Sequence, residues 1–145
     1  MNKAIAPYVR QPIAFLPYDP ALPEVAAQTE SLIRTKIPNA EFEHIGSTAI
    51  LNMPGKNIIN VQLLCEEDQY QQNVSALESL GFIPISSNMI EPQYHPIEVA
   101  SLIYKGKPYN VHVLLTAKGS EYHVNAVFFR DYIASHPDEK EQYAK

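Results

Sequence analysis

The chain has one cysteine, no run of basic residues, and no apolar stretch near the ~20 residues that a bilayer crossing needs. Each scarcity narrows what the protein can be. Cys65 closes the apolar run Ile58 to Leu64 and has no cysteine to pair with inside the chain. That fits a reducing compartment, and with no cation or His beside it in sequence it reads as a small core residue rather than a reactive thiol. Eleven Lys and Arg against sixteen Asp and Glu give a formal net charge of -5. Without clustered cations, counterion release offers no grip on nucleic acid or on an anionic membrane surface. The first residues, Met-Asn-Lys-Ala-Ile-Ala-Pro, lack the apolar core of a secretion signal. The expected setting is the cytoplasm, and the expected partner is a small molecule.

What is present describes a packed domain. With 46% hydrophobic and 19% charged residues the chain is too apolar to be disordered, and 145 residues suffice for one core without staples. A single domain over residues 1–145 is expected, its last helix cut short. Ile13 to Leu16 reads as a short edge strand closed by Pro17-Tyr18-Asp19-Pro20. Pro23 to Lys36 carries Pro and Glu at its start and cations at its end, the polarity of a helix. Glu41 to Ile45 alternates as a half-buried strand and stops at Gly46-Ser47, and a second strand spans about Asn57 to Cys65. A helix from Asp68 to Leu80 follows, with Tyr70, Val74, Leu77 and Leu80 on one face and Gly81 as its stop.

Phe82 to Ile85 reads as extended, and Ser86 to Pro96, with two prolines and little periodicity, as a mobile lid-like loop. Glu98 to Lys105 and Tyr109 to Thr116 form a hairpin around Gly106-Lys107-Pro108. Ser120 caps a final major helix in which Val124, Val127, Phe128 and Tyr132 are expected to face the core, ending at Ser135-His136-Pro137. Asp138 to Lys145 begins one more helix.

The chemistry concentrates between His44 and Gln62. A Gly46-Ser47 turn after a strand lets backbone N–H groups and the hydroxyls of Ser47 and Thr48 approach phosphate oxygens. Twelve residues on, Asn60 and Gln62 lie two apart on one strand and share a face, so two polar side chains interrupt a buried surface.

A strand, Gly-Ser, about a dozen residues and a polar x-polar pair on the next strand resemble the core signature of the nucleotidyltransferase superfamily, where that pair is acidic. More narrowly, His44-Ile45-Gly46-Ser47-Thr48-Ala49, Gly55-Lys56, Ile58-Ile59-Asn60-Val61-Gln62, Val111-His112-Val113 and Phe129-Arg130-Asp131-Tyr132-Ile133 resemble the GrpB family, as do Tyr18-Asp19-Pro20, His136-Pro137 and Tyr143. The resemblance implies an α/β (α+β) fold, a nucleotidyltransferase-like mixed β-sheet flanked by helices. It also implies nucleotidyl or phosphoryl transfer involving a small phosphate-bearing ligand; where such transfer uses a metal, carboxylates hold Mg²⁺ against the phosphate oxygens, and the cofactor of this chain is left open. The sequence departs from the family where it matters, because Lys56-Asn57-Ile58-Ile59-Asn60 stands where relatives usually read Lys-Pro-Ile-Ile-Asp. Asn60 and Gln62 offer only neutral carbonyl oxygens to a hard cation. No metal ligand is therefore assigned. Glu43 and Glu98 are the neighbouring carboxylates that would have to compensate, although both fall at strand ends where exposed acids are common.

The candidate reacting centre is accordingly Asn60, Gln62 and His112, the last expected on the same sheet face as the two amides. The candidate ligand-binding residues are His44, Gly46, Ser47, Thr48, Lys56 and Arg130. His44 has a plain structural alternative as a hydrogen-bonded histidine at the core edge. Arg130 and Asp131, adjacent on a helix, are expected to serve separate partners. Lys105, Lys107 and Lys118 flank the hairpin, as pocket rim or as solvated charges. Three functions fit this sequence: a transferase acting on a small molecule, a nucleotide- or phosphometabolite-binding module that has lost metal catalysis, and an interaction domain.

Overall fold

Alternating apolar residues and short turn signals produce a six-stranded mixed sheet in a computed structural model that describes residues 4–8, 16–85, 96–136 and 138. The strands are β1 (Ile5–Ala6), β2 (Glu41–Ile45), β3 (Ile59–Cys65), β4 (Ile83–Pro84), β5 (Ile97–Tyr104) and β6 (Lys107–Ala117). The helices are α1 (Leu22–Arg34), α2 (Tyr70–Leu80) and α3 (Glu121–Ser135). The sheet order is β1-β5-β6-β3-β2, with β4 paired to β5. Among the described strands only β3 and β6 run parallel. The fold is the mixed α/β architecture that the sequence resemblance implies.

Residues paired across strands point to the same side of the sheet, so the register divides the molecule. One face carries Ile59, Val61, Leu63 and Cys65 of β3 with Val111, Val113 and Leu115 of β6. Leu22, Val25, Ala26 and Ile33 of α1 and Leu77 and Leu80 of α2 pack into the same cluster. Cys65 is a buried thiol whose pKa burial raises, in keeping with a structural role. The opposite face carries Glu43, Asn60, Gln62, Ser101, Asn110, His112 and Thr116.

Local signals fix the connections. Asp19 precedes α1 and accepts from the Ala21 amide at 2.9 Å, from Tyr109 Oη at 2.7 Å and from Lys107 Nζ at 3.1 Å. It thereby ties the start of α1 to the hairpin. Gly81 takes the left-handed conformation, φ 116°, that ends α2. The hairpin turn is Lys105-Gly106, both at positive φ, a two-residue turn whose twist matches the strands. The turn lies one residue earlier than the sequence suggests, so Lys107 and Pro108 belong to β6.

Three expectations are corrected. α3 does not bury Val124 and Phe128, which are 52% and 67% exposed. Its buried residue is Ile133, which joins Ile50, Met53 and Tyr132 in a small separate cluster. Arg130 and Asp131 do not serve separate partners, because the Arg130 side chain folds back and its Nε donates to Asp131 Oδ1 at 2.9 Å. Glu98 is 1% exposed rather than an exposed strand-end acid. It points to the helix-covered face and meets Glu78 of α2, so it cannot supply a carboxylate beside Asn60. Burial and the Glu78 charge push its pKa well above the ordinary carboxylate range. Residues 86–95 of the lid expected from Ser86 to Pro96 lie outside the described residues, as do most of the first edge-strand run and the helix after Asp138.

No helix among the described residues is long and apolar enough to cross a membrane.

Candidate functional site

β2 ends at Ile45 because Gly46 adopts φ 79° and ψ -173°, a backbone conformation essentially confined to glycine. The chain then makes one 3₁₀ turn, Ser47–Ala49, and reaches Gly55, which bridges to Leu16. Both glycines are needed for space. A Cβ on Gly46 would sit 3.2 Å from Asn60 Nδ2, and one on Gly55 would sit 2.5 Å from Ser47 Oγ. The turn, Ser47 and Asn60 therefore share one small volume at the start of β3.

Register builds the rest of the row. Ile45 pairs with Asn60, Asn60 with His112, and His112 with Val99. Asn60 and His112 thus stand side by side on adjacent strands, both partly exposed. Asn60 Nδ2 donates weakly to Ile58 O at 3.4 Å. His112 Nε2 shares a hydrogen bond with Tyr8 Oη at 3.1 Å, and the two rings lie 5.4 Å apart. Burial lowers the His112 pKa, which favours the neutral imidazole. Nothing in the sequence pointed to Tyr8, since contact across 104 positions leaves no local trace.

Gln62 occupies the next row, between Glu43 and Leu114. It shares the face of Asn60 and His112 as expected, but it is wholly buried rather than solvent-reachable. Neither its Oε1 nor its Nε2 has a hydrogen-bond partner among the described residues. Such a group costs free energy unless something completes it.

His44 turns the other way. It pairs with Val61, so its ring faces the helix-covered side and not Asn60. There His44 Nε2 and Thr48 Oγ1 are 2.9 Å apart, and Thr48 Oγ1 donates to Ile58 O at 3.4 Å. Burial, and then the Arg130 charge, pull the His44 pKa down to about 4. A neutral His44 and a buried Thr48 brace the turn from behind, a structural place for two residues that sequence had put beside the ligand.

Arg130 is engaged. Its Nη1 donates to Glu43 Oε2 at 2.9 Å and to His44 O at 3.0 Å, so α3 covers the open edge of β2. Lys56 is exposed and makes no ion pair among the described residues. Of the hairpin lysines, Lys107 pairs with Asp19, Lys118 pairs with Glu41, and Lys105 lies over the Tyr104 ring.

This set of donors does not fit a resident divalent cation. The two strand positions that would hold it are amides, Glu43 is neutralised by Arg130, and the described residues contain no group of three or more His, Cys, Asp or Glu arranged for a metal.

Residues 12–145 match the family described as GrpB protein. The chain belongs to that family. Over 136 residues it is 32% identical to the UPF0157 protein PA4798 of Pseudomonas aeruginosa, covering 92% of this chain and 54% of that protein. It is 25% identical to the UPF0157 protein BH1888 of Halalkalibacterium halodurans, covering 92% of this chain and 66% of that one. The chain thus spans between half and two thirds of the length of these curated GrpB relatives. Among solved structures, GrpB from Enterococcus faecalis superposes with a TM-score of 0.69 at 20% identity, over 90% of this chain and 78% of that one. A cytoplasmic RNA terminal U-transferase superposes with a TM-score of 0.55 at 15% identity, over 87% of this chain and 38% of that one. Cid1 poly(U) polymerase, in a mutant bound to MgATP, gives 0.54 at 16% identity over 81% and 38%. At these identities the likeness establishes the nucleotidyltransferase-like fold alone.

The resemblance that led to the family expects proline at position 57. Asn57 here has φ 58°, which a proline ring cannot adopt. The approach to β3 has its own backbone in this GrpB protein, beside the amide at position 60.

Proposed function

We propose that this GrpB protein binds a small phosphate-bearing ligand of the nucleotide class at the Gly46-Ser47 turn, without needing a divalent cation. The observation that carries the reading is the glycine-only backbone of Gly46, whose missing side chain lets the turn and Asn60 Nδ2 lie close against each other. Backbone N–H groups and the Ser47 hydroxyl suit phosphate oxygens there, Lys56 contributes a positive charge that pairs with no acid among the described residues, and Asn60 and His112 form the adjoining wall. The ligand class draws support from the solved neighbours, of which Cid1 is described as bound to MgATP. Amides donate and accept without adding negative charge, so a phosphate can approach without a cation between.

Calorimetric titration with ATP, GTP, CTP and UTP, with Mg²⁺ and with a chelator, tests this. At least one nucleotide should bind, with affinity unchanged by the chelator and reduced by Ser47→Ala and Lys56→Ala. Asn60→Asp should make the same binding depend on Mg²⁺, since the added carboxylate repels a bare triphosphate and attracts the cation. Absence of binding, or binding of the unaltered protein only with Mg²⁺, would sink the proposal.

A second reading, nucleotidyl or phosphoryl transfer to a small molecule, draws on the neighbours being described as a U-transferase and a polymerase. It requires Asn60, Gln62 and His112 at the reacting centre and a source of charge neutralisation other than paired carboxylates. Product formation from a nucleotide that binds, followed by chromatography, separates it from the binding module.

A further inference from the structure

Arg130 lies nearer the phosphate-binding turn than its helix position implies. Its Nη1 bonds the carbonyl of His44, two residues before Gly46 and so ~7 Å from it along the strand. The same nitrogen is held by Glu43 Oε2 at 2.9 Å, and Glu43 is paired in register with the unpartnered Gln62. A guanidinium is built for forked recognition of either a carboxylate or a phosphate. Here both its neighbours, Glu43 and Asp131, belong to the protein. The side chains of Arg130 and Glu43 are 21% and 31% exposed, so the pair is shielded enough to hold and open enough to be reached. Few buried contacts fasten α3 independently, since Ile133 is its one buried residue among those described.

We infer that Glu43 is an internal competitor for Arg130: it occupies the guanidinium that would otherwise grip the ligand's phosphate, and so sets how much anionic charge a ligand needs in order to bind. This rests on the phosphate-binding reading of the Gly46-Ser47 turn. A ligand with several phosphate charges displaces Glu43 and draws Arg130 toward the turn, whereas a singly charged phosphate does not. Glu43 thereby acts as a specificity-determining residue that favours polyphosphate over monophosphate ligands. Its carboxylate, once released, remains beside Gln62, whose free amide N–H can receive it.

The test titrates inorganic tripolyphosphate, UTP and UMP into the parent protein, Glu43→Gln, Arg130→Gln and the double variant, each confirmed folded by circular dichroism and urea unfolding. Glu43→Gln should tighten tripolyphosphate and UTP roughly tenfold and bring UMP into measurable range. The gain should disappear when Arg130→Gln is also present, because no guanidinium is left to release. A gain of equal size without Arg130 would reduce the effect to the removal of one negative charge and overturn the inference, as would no gain at all. Ser47→Ala and Lys56→Ala separate the two proposals. If they weaken binding while Glu43→Gln changes nothing, the turn binds phosphate and the competition is wrong. If Glu43→Gln tightens binding only when Arg130 is present while Ser47→Ala and Lys56→Ala are silent, the anion site is Arg130 itself and the turn is wrong. Failure of the parent and every variant to bind any of the three probes would overturn both.

Discussion

Leu63 and Gln62 are neighbours on one strand, and both are wholly buried. Leu63 points into hydrocarbon between the sheet and helices α1 and α2, while Gln62 points into a face shared with Glu43, Asn60, His112 and Asn110. The first face gains stability from apolar area removed from water. The second costs stability wherever a polar group lacks a partner, and it limits the cost with specific bonds: Ser101 Oγ to Asn110 Oδ1 at 2.6 Å, Thr116 Oγ1 to Leu114 O at 3.1 Å, Arg130 to Glu43. A sheet that can bury both sides has no structural need for polar residues on one of them. The difference separates a side held together by apolar burial from a side whose buried polar residues need specific partners.

The largest effect should come from damage to the first face. Leu63→Ala removes a fully buried side chain between two helices and should cost about 2–5 kcal/mol in urea unfolding. A cost below 1 kcal/mol would mean that the helix-covered face is not where stability resides.

Next in size is the turn that joins the faces. Gly46→Ala introduces a Cβ at φ 79° and 3.2 Å from Asn60 Nδ2, and should destabilise by about 1–3 kcal/mol. Unlike the core truncation, it should also abolish nucleotide binding in the surviving folded fraction. An alanine variant that folds and binds normally would show that the glycine is not needed for either purpose.

A smaller, pH-dependent effect belongs to His44. Its pKa in the folded protein, about 4, lies below the ordinary value of 6.5, so unfolding takes up a proton anywhere between them. The stability associated with neutral His44 is therefore complete above pH 6.5 and is lost as pH falls from there toward 4, by about 1 kcal/mol at pH 5.5. Replacing His44 with Asn should flatten that part of the stability profile, measured by urea unfolding at a series of pH values. An unchanged slope would place the titration elsewhere.

Sequence revealed the period-two elements well and the faces poorly. Glu41 to Ile45 has the boundaries its alternation implies, and the helix before it agrees within two residues, because capping, turn and alternation signals are local. Asn60 and Gln62 could be put on one face from their spacing alone. Alternation also says that His44 and Glu43 point opposite ways, but not which side the helices cover, so it does not separate His44 from the face of Asn60. The α3 stripe misled for a related reason. Helical spacing of Val124 and Phe128 mimics a core face, whereas the helix docks through Ile133 and the Arg130 bonds to β2. A charged residue at a strand end is usually exposed, and no local pattern announces that Glu98 meets the carboxyl of Glu78 on the helix packed over the sheet. Tyr8 became visible only when the fold brought it to His112.

The sharpest test of the comparison reads the sign of a stability change and not its size. Gln62 is buried with both amide atoms unpartnered among the described residues, so its burial carries a desolvation cost that no protein hydrogen bond repays. Gln62→Leu removes the polar atoms at similar volume, and the lost cost should offset any imperfect packing, leaving stability unchanged or raised by up to about 1–2 kcal/mol. The same substitution on a purely structural polar residue would be unfavourable: Asn110→Leu strips Ser101 of its 2.6 Å acceptor and should lower stability by a similar amount. If Gln62 is kept for the ligand, Gln62→Leu should weaken nucleotide binding at least tenfold in a protein no less stable than its parent. Loss of stability in urea together with unchanged binding would make Gln62 a structural residue and would return this face to the same rules as the other.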